Sequence, residues 1–208
     1  MAATAFHWER GLSRSTGPFQ ENVNNGWSKW SPDGQRIAFD RMTDHQSEIY
    51  VVNADGTNLG LLISEPGYPS ILGWAPDGQQ IIYRAVTSDG EKQSIRVFDI
   101  PSGQSREVVT LPLEGILSLS PDATRMVYLS DRGVFLLALD GSAPVLLRGD
   151  ANLFFGPVWS PDGQWILMAY LEGTNNATPA HVLLQPDTCQ LLRFDTPLGA
   201  IVSTWAGK

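Results

Sequence analysis

Short apolar runs, rich in β-branched and aromatic residues, alternate with polar segments along most of the chain. Clear runs are residues 37–39, 49–52, 61–63, 81–83, 95–98, 126–128, 134–139, 145–147, 166–168 and 182–184. Runs this short, bounded by Gly, Pro and Asp, predict β-strands. Within each run the apolar residues are nearly continuous, so we expect sheets that are covered on both faces.

One phrase precedes each group of runs and sets a period. Its four copies are Trp30-Ser31-Pro32-Asp33-Gly34, Trp74-Ala75-Pro76-Asp77-Gly78, Leu119-Ser120-Pro121-Asp122-Ala123 and Trp159-Ser160-Pro161-Asp162-Gly163. Their prolines lie 44, 45 and 40 residues apart, a spacing typical of repeat architectures. Each period predicts four strands, one before the phrase and three after it.

The phrase has the chemistry of a tight turn. Proline fixes φ for the second position, aspartate bonds nearby backbone groups, and glycine adopts the left-handed conformation without a Cβ penalty. Ala123 replaces that glycine in the third copy. If the turn is kept, a left-handed alanine costs about 1 kcal/mol, so we expect Ala123→Gly to be neutral or stabilising.

The phrase, an apolar strand and then Ile49-Tyr50-Val51-Val52-Asn53-Ala54-Asp55-Gly56 resemble the WD40-like Pro-Asp repeat of TolB-type β-propellers. The resemblance covers about residues 20–208 and concerns blade sequence only. It implies an all-β propeller of four-stranded antiparallel blades and a bacterial setting. The family includes periplasmic TolB and the propeller domains of prolyl-oligopeptidase-like peptidases.

We expect one propeller domain over residues 1–208, with repeats at about 20–64, 65–112, 113–150 and 151–196. Residues 201–205 look like the first strand of a further repeat, because Trp205 lies 46 residues after Trp159. Our preferred closure is a partial fifth blade built from residues 197–208 and 4–17. The alternatives are an open arc of a larger ring, or two chains that complete one ring.

Charge and composition say more about the kind of partner than about where in the cell the protein is located. A net charge of −8 argues against binding to a nucleic-acid backbone. No apolar run is long enough for a membrane span, and residues 1–20 contain no apolar region typical of a signal peptide. The location, exported to the periplasm or cytoplasmic, stays open. The single cysteine, Cys189, cannot form an internal disulfide, and we expect a small packing residue there.

The chain contains no recognisable catalytic motif. Its three histidines are His7, His45 and His181, and no nucleophile elbow, zinc-protease motif or phosphate loop occurs. Asp44, His45 and Ser47 are close in sequence, but neighbours in a tight loop are poorly oriented for a relay. Turn chemistry accounts for the four Pro-Asp aspartates. We therefore predict no catalytic residues, no metal and no cofactor.

Propellers usually bind at one end of the channel, where the loops between strands two and three meet the connections to the next blade. Those loops differ between repeats and are acidic, which would attract cations or basic segments, although a set of solvated turns is the simpler explanation of the charge. The candidate binding residues are Asp44, His45, Tyr68, Asp89, Asp131, Arg132, Asp150 and Glu172.

These observations favour a non-enzymatic binding or assembly module for another protein. One alternative is a propeller enzyme, or a module that gates an enzyme, of the peptidase or carbohydrate-related kind. The other is a structural arc that completes a larger ring by homo-oligomerisation.

Overall fold

A computed structural model describes residues 24–42, 46–87, 89–149, 154–172 and 178–194. The regular secondary structure within these ranges consists of β-strands. The strands fall into four consecutive groups of four, which we call blades 1 to 4.

The strands have the following bounds. Blade 1 consists of β1 (Asn24–Trp30), β2 (Arg36–Met42), β3 (Ser47–Asn53) and β4 (Gly60–Ser64). Blade 2 consists of β5 (Ser70–Trp74), β6 (Gln80–Val86), β7 (Lys92–Asp99) and β8 (Gln104–Pro112). Blade 3 consists of β9 (Ile116–Leu119), β10 (Arg125–Ser130), β11 (Gly133–Ala138) and β12 (Val145–Arg148). Blade 4 consists of β13 (Phe154–Trp159), β14 (Ile166–Glu172), β15 (Thr178–Gln185) and β16 (Gln190–Phe194).

Within each blade the strands pair antiparallel and in sequence order. Neighbouring blades meet mainly through their first strands, β1 with β5, β5 with β9, and β9 with β13. The predicted fold class, an all-β propeller of four-stranded antiparallel blades, is therefore confirmed. The closure of the ring by residues near both termini lies outside the described residues.

The Pro-Asp phrase forms the predicted turn between the first and second strands of each blade. Gly34, Gly78 and Gly163 have φ values of 68°, 66° and 69°. Ala123 adopts the same left-handed conformation with φ 51°, as the spacing predicts. Ser31 adds a contact that the sequence analysis missed, because its hydroxyl bonds to Asp33 Oδ1 at 2.6 Å and accepts the backbone N–H of Arg36 at 2.9 Å.

The hydrophobic core lies between the blades. One cluster joins blades 1 and 2 and includes Ala38, Ile49, Ile81 and Tyr83, which are fully buried. A second cluster joins blades 2 and 3, and a third joins blades 3 and 4. Stability therefore depends on how well each blade matches the next one.

A polar contact, here called the indole latch, joins blade 1 to blade 2. The Trp74 indole donates to the backbone carbonyl of Lys29 at 3.0 Å. Arg36 lies over the Trp74 ring, 4.9 Å from its centroid, and donates to the carbonyl of Gly78 at 2.7 Å. The guanidinium thus contacts the ring face and a backbone acceptor at once.

The same latch joins blade 3 to blade 4. The Trp159 indole donates to Ser118 O at 3.0 Å, and Arg125 lies over its ring at 5.4 Å. Between blades 2 and 3 the two corresponding positions hold Gln80 and Leu119 instead. Across these three blade interfaces, an arginine in the second strand of one blade is found with a tryptophan in the first strand of the next, and a glutamine is found with a leucine.

Two positions differ from expectation or from their equivalents. Trp30 occupies the position of Trp74 and Trp159, yet it is 60% exposed, against 7% and 6%. Cys189 is exposed at the turn before β16, with φ 55°. The prediction that it packs inside the fold is therefore wrong, because this turn places a non-glycine residue at a solvent-facing left-handed position.

Candidate functional site

The strand order brings two sets of loops to one end of the blades. They are the loops between the second and third strands and the connections from each blade to the next. We call this the mouth end, and the Pro-Asp turns lie at the opposite end. Tyr68, Asp89, Asp131 and Arg132 all lie in described loops at the mouth end.

Tyr68 lies in the connection from blade 1 to blade 2 and is half exposed. Its φ is 51°, a left-handed conformation that costs a non-glycine residue about 1 kcal/mol. Such strain persists only where the surrounding structure enforces it, and it concentrates at binding sites. The loop around Tyr68 is fixed from both sides.

On the amino-terminal side, Glu65 is bound by Arg96 of β7. Arg96 Nη1 lies 3.0 Å from both carboxylate oxygens of Glu65. Beneath this pair, Tyr83 is buried and its hydroxyl pairs with Ser105 Oγ at 2.7 Å. Burial, together with the nearby Glu65 charge, raises the pKa of Tyr83 to about 12, so it stays a neutral hydrogen-bonding group.

Next to Tyr68, Gly67 is pressed against blade 2. Its carbonyl accepts the backbone N–H of Val86, and its φ is 103°. A Cβ at this position would collide with the carbonyl oxygen of Val86. Only glycine fits this close approach, so the backbone before Tyr68 has little freedom.

On the carboxyl-terminal side, two side chains of blade 1 form hydrogen bonds with residues at the start of β5 and just before it. Ser47 Oγ donates to Pro69 O at 2.8 Å. The buried carboxylate of Asp40 accepts Ser70 Oγ at 2.7 Å and the N–H of Ile71 at 2.8 Å. Burial raises the pKa of Asp40, while these two donors and the charges of Arg84 and Lys29 oppose the increase. The loop therefore presents an aromatic side chain from a preorganised backbone.

The connection from blade 2 to blade 3 is anchored in a similar way. Tyr128 Oη donates to Glu114 O at 2.6 Å, and Gln93 Nε2 donates to Pro112 O at 3.0 Å. Gly115, with φ 140°, lies against the Tyr128 ring, which leaves no room for a Cβ. Here the exposed apolar side chain is Ile116 at the start of β9.

The charged candidates have simpler environments. Asp89 Oδ1 accepts Thr87 Oγ1 at 2.5 Å and the N–H of Glu91 at 3.0 Å, and the Thr87 hydroxyl is the main cause of its lowered pKa. It thus has the role that Asp33 has in the Pro-Asp turn. Asp131 and Arg132 form the exposed tip of the β10–β11 hairpin.

The remaining candidates are not brought into a described site. Asp44, His45 and Asp150 lie outside the described residues. Glu172 is at the end of β14, in register with Thr178, and its side chain is outside the described set. Ser47, which follows His45 by two positions in the sequence, is buried, and its hydroxyl donates to the carbonyl of Pro69.

Sequence reasoning missed Asp40, Arg96 and Gly67, which position the Tyr68 loop. A usable signal was the presence of two strand-embedded charges in otherwise apolar runs, at positions 40 and 96. In the described part of the chain, no group of three His, Cys, Asp or Glu side chains could hold a metal ion. No helix among the described residues is long and apolar enough to cross a membrane.

The family model described as the TolB beta propeller domain (PD40) matches residues 28–192. The chain therefore belongs to the TolB β-propeller family. This extends the fold assignment to most of the sequence.

Solved structures share the fold at low identity. Putative TolB from Agrobacterium tumefaciens is similar with a TM-score of 0.63 and 21% identity, over 82% of this chain and 64% of that one. TolB from Acinetobacter baumannii gives 0.62 and 17%, over 82% and 43%. An oligogalacturonate lyase in complex with manganese gives 0.60 and 20%, over 80% and 50%. The chain spans less than two thirds of each of these structures, and the similarity shows the fold alone.

Proposed function

We propose that this chain is a non-enzymatic binding module that takes up another protein on the loops at its mouth end. The observation that carries the proposal is Tyr68, an aromatic side chain that is half exposed and held at a positive φ by contacts from two blades. Tyrosine is enriched among residues that dominate binding energy, because it buries a large area and loses few rotamers.

The rigidity of the loop supports this role. Glu65, Gly67 and Pro69 are each bound to a different strand, so the loop does not have to be ordered when a partner binds. Preorganisation of this kind lowers the entropic cost of association. The exposed Ile116 at the next connection, and the hairpin tip of Asp131 and Arg132, supply further apolar and charged contact groups at the same end.

The mouth end offers exposed acidic groups, Glu91, Glu114 and Asp131, beside Lys92 and Arg132. Asp89 and Glu65 contribute less than the sequence suggests, because each is bound within its own loop or to Arg96. A partner with an aromatic-accepting pocket and a modest excess of basic residues would complement this surface.

Affinity capture from a lysate of the source organism, with purified chain as bait, tests the proposal. Tyr68→Ala should weaken the capture of a specific partner about 30-fold, the loss expected for a hot-spot side chain worth about 2 kcal/mol. Leu59→Ala, at an equally exposed apolar residue of the opposite end, is the matched control and should leave capture unchanged. The proposal would be overturned if no partner were captured while small molecules raised the melting temperature.

A further inference from the structure

The three described interfaces between neighbouring blades differ in how their inner strands are joined. Blades 1 and 2, and likewise blades 3 and 4, are joined by the indole latch, in which an indole N–H bonds to a backbone carbonyl and an arginine lies over the ring. A hydrogen bond has a preferred direction, and a cation over a ring face has a preferred position. The latch therefore restricts both the distance and the angle between the two blades that it joins.

The interface between blades 2 and 3 has an apolar contact at the same place. Leu119, in the tryptophan position, is partly buried and lies so close to Gly73 that a Cβ there would collide with its Cδ2 atom. Gln80, in the arginine position, is engaged inside blade 2, because the pKa of Asp99 is lowered mainly by Ser102 and also by a hydrogen bond from Gln80. An apolar contact has no preferred direction, so it restricts the angle between the blades less than the latch does.

Two directional bonds do join blades 2 and 3, but both lie away from the inner strands. On the outer strand β8, Arg106 Nη2 donates to the carbonyl of Leu139 at 2.9 Å. At the mouth end, Tyr128 Oη of blade 3 donates to the carbonyl of Glu114, in the connection from blade 2, at 2.6 Å. Bonds at the outer strand and at one end, with an apolar contact at the inner strands, suit a hinge whose axis runs near the outer strands.

We propose that the interface between blades 2 and 3 is a hinge, about which blades 1 and 2 move as one rigid pair and blades 3 and 4 as another. The movement changes the angle between the pairs and leaves each blade intact. It also changes the separation of exposed groups at the mouth end, because Tyr68 precedes blade 2 whereas Ile116 begins blade 3. The hinge does not rest on the proposed function, since the contacts that define it join blades and do not involve a partner.

Thiol labelling of the folded chain measures how often each interface opens. Ala38, Ile82 and Val127 occupy equivalent positions of β2, β6 and β10, face the following blade and are at most 1% exposed. Each is replaced by cysteine in the full chain with Cys189→Ser, and the rate of reaction with a maleimide is divided by the rate in the urea-unfolded chain. Ile82→Cys should react about ten-fold faster than Ala38→Cys or Val127→Cys, because opening of the hinge breaks no indole bond.

Installing a latch between blades 2 and 3 tests the cause of the opening. Gln80→Arg combined with Leu119→Trp gives this interface the arginine and tryptophan that the other two have. In a chain that remains folded by circular dichroism, the pair should slow the labelling of Ile82→Cys about ten-fold, to the rate of Val127→Cys. A folded latch variant in which Ile82→Cys reacts as fast as before would overturn the proposal.

A second pair of variants makes the test independent of the designed latch. Ile49→Cys and Ile95→Cys are the same substitution at equivalent, fully buried positions of β3 and β7, which face blades 2 and 3 respectively. Ile95→Cys should react faster than Ile49→Cys, but by a smaller factor than separates positions 82 and 38, because the third strands lie nearer the hinge axis. Equal rates for Ile49→Cys and Ile95→Cys, or for Ile82→Cys and Val127→Cys, would show that the three interfaces open alike and would contradict the hinge.

Discussion

Replacing both side chains of the indole latch between blades 1 and 2 tests whether the blades are joined by matched pairs. The double variant Arg36→Gln with Trp74→Leu copies the pair that the chain itself has at the corresponding positions of blades 2 and 3, Gln80 and Leu119. If the pairs are matched units, the two substitutions should compensate for each other in part.

The magnitudes follow from the contacts. Trp74→Leu removes the 3.0 Å bond to Lys29 and part of a buried side chain, which should lower the free energy of unfolding by about 3 kcal/mol. Arg36→Gln removes the 2.7 Å bond to Gly78 and the charge over the ring, worth about 1.5 kcal/mol. Each single variant already loses the cation–π contact, so the double variant should lose about 3.5 kcal/mol, about 1 kcal/mol less than the sum.

The assay is urea denaturation at 25 °C followed by circular dichroism, on the wild type, both single variants and the double variant. Trp74→Leu combined with Arg106→Gln is the control, because the guanidinium of Arg106 bonds to Leu139 O, between blades 2 and 3. That combination should be additive within about 0.5 kcal/mol. A coupling energy below about 0.3 kcal/mol would show that Arg36 and Trp74 do not act as a matched pair.

Three further predictions concern turns and a buried carboxyl. Ala123→Gly removes the strain of a left-handed alanine, about 1 kcal/mol, but increases the conformational entropy of the unfolded chain by a similar free energy. The melting temperature of this variant should therefore be unchanged or higher, and a clear drop would contradict this. Ala75→Ser should restore the hydroxyl that Ser31 provides in blade 1 and raise the melting temperature by about 3 °C, whereas Ser31→Ala should lower it; a decrease for Ala75→Ser would count against this role. Burial raises the pKa of Asp40, so its contribution to stability is fully present below its ordinary value near 3.8 and is lost as pH rises through the raised pKa. Asp40→Asn keeps an acceptor for Ile71 and should therefore gain stability relative to the wild type between pH 4 and pH 7, measured by urea midpoints; a relative loss over that range would be inconsistent with a raised pKa.

The strands and the Pro-Asp turns could be predicted from the sequence because their causes are local. A proline, an aspartate and a left-handed residue determine the turn within five positions, and the repeat then determines the strand order. Even the conformation of Ala123 follows, since the phrase leaves it the position of a glycine.

The contacts between blades could not be predicted because they join residues about 40 positions apart. Nothing near Arg36 in the sequence indicates that it lies over Trp74. The chain did contain a signal, namely that Arg36 and Trp74 recur as Arg125 and Trp159, while Gln80 accompanies Leu119. Residues that change together across repeats are candidates for contact.

The candidate site could be predicted only in part, because some of its contacts join residues that are far apart in the sequence. Topology alone places Tyr68, Asp89 and Asp131 at one end of the blades. The unusual backbone of Tyr68 depends on Val86, Arg96 and Ser47, which come from three other strands. The role of Asp89 in its own turn, by contrast, could have been read from the local phrase Thr87-Ser88-Asp89-Gly90, which has the form of the Pro-Asp turn.

The most direct test of protein binding at the mouth end compares two positions for a photoreactive group. p-Benzoylphenylalanine is placed at Tyr68 or at Leu59, both about half exposed but at opposite ends of the blades, and the chains are irradiated in a native lysate of the source organism. If the mouth end binds a protein, position 68 should give a discrete protein adduct that is absent from position 59 and is competed away by unlabelled wild-type chain. Equal adducts from both positions, or none from position 68, would contradict it.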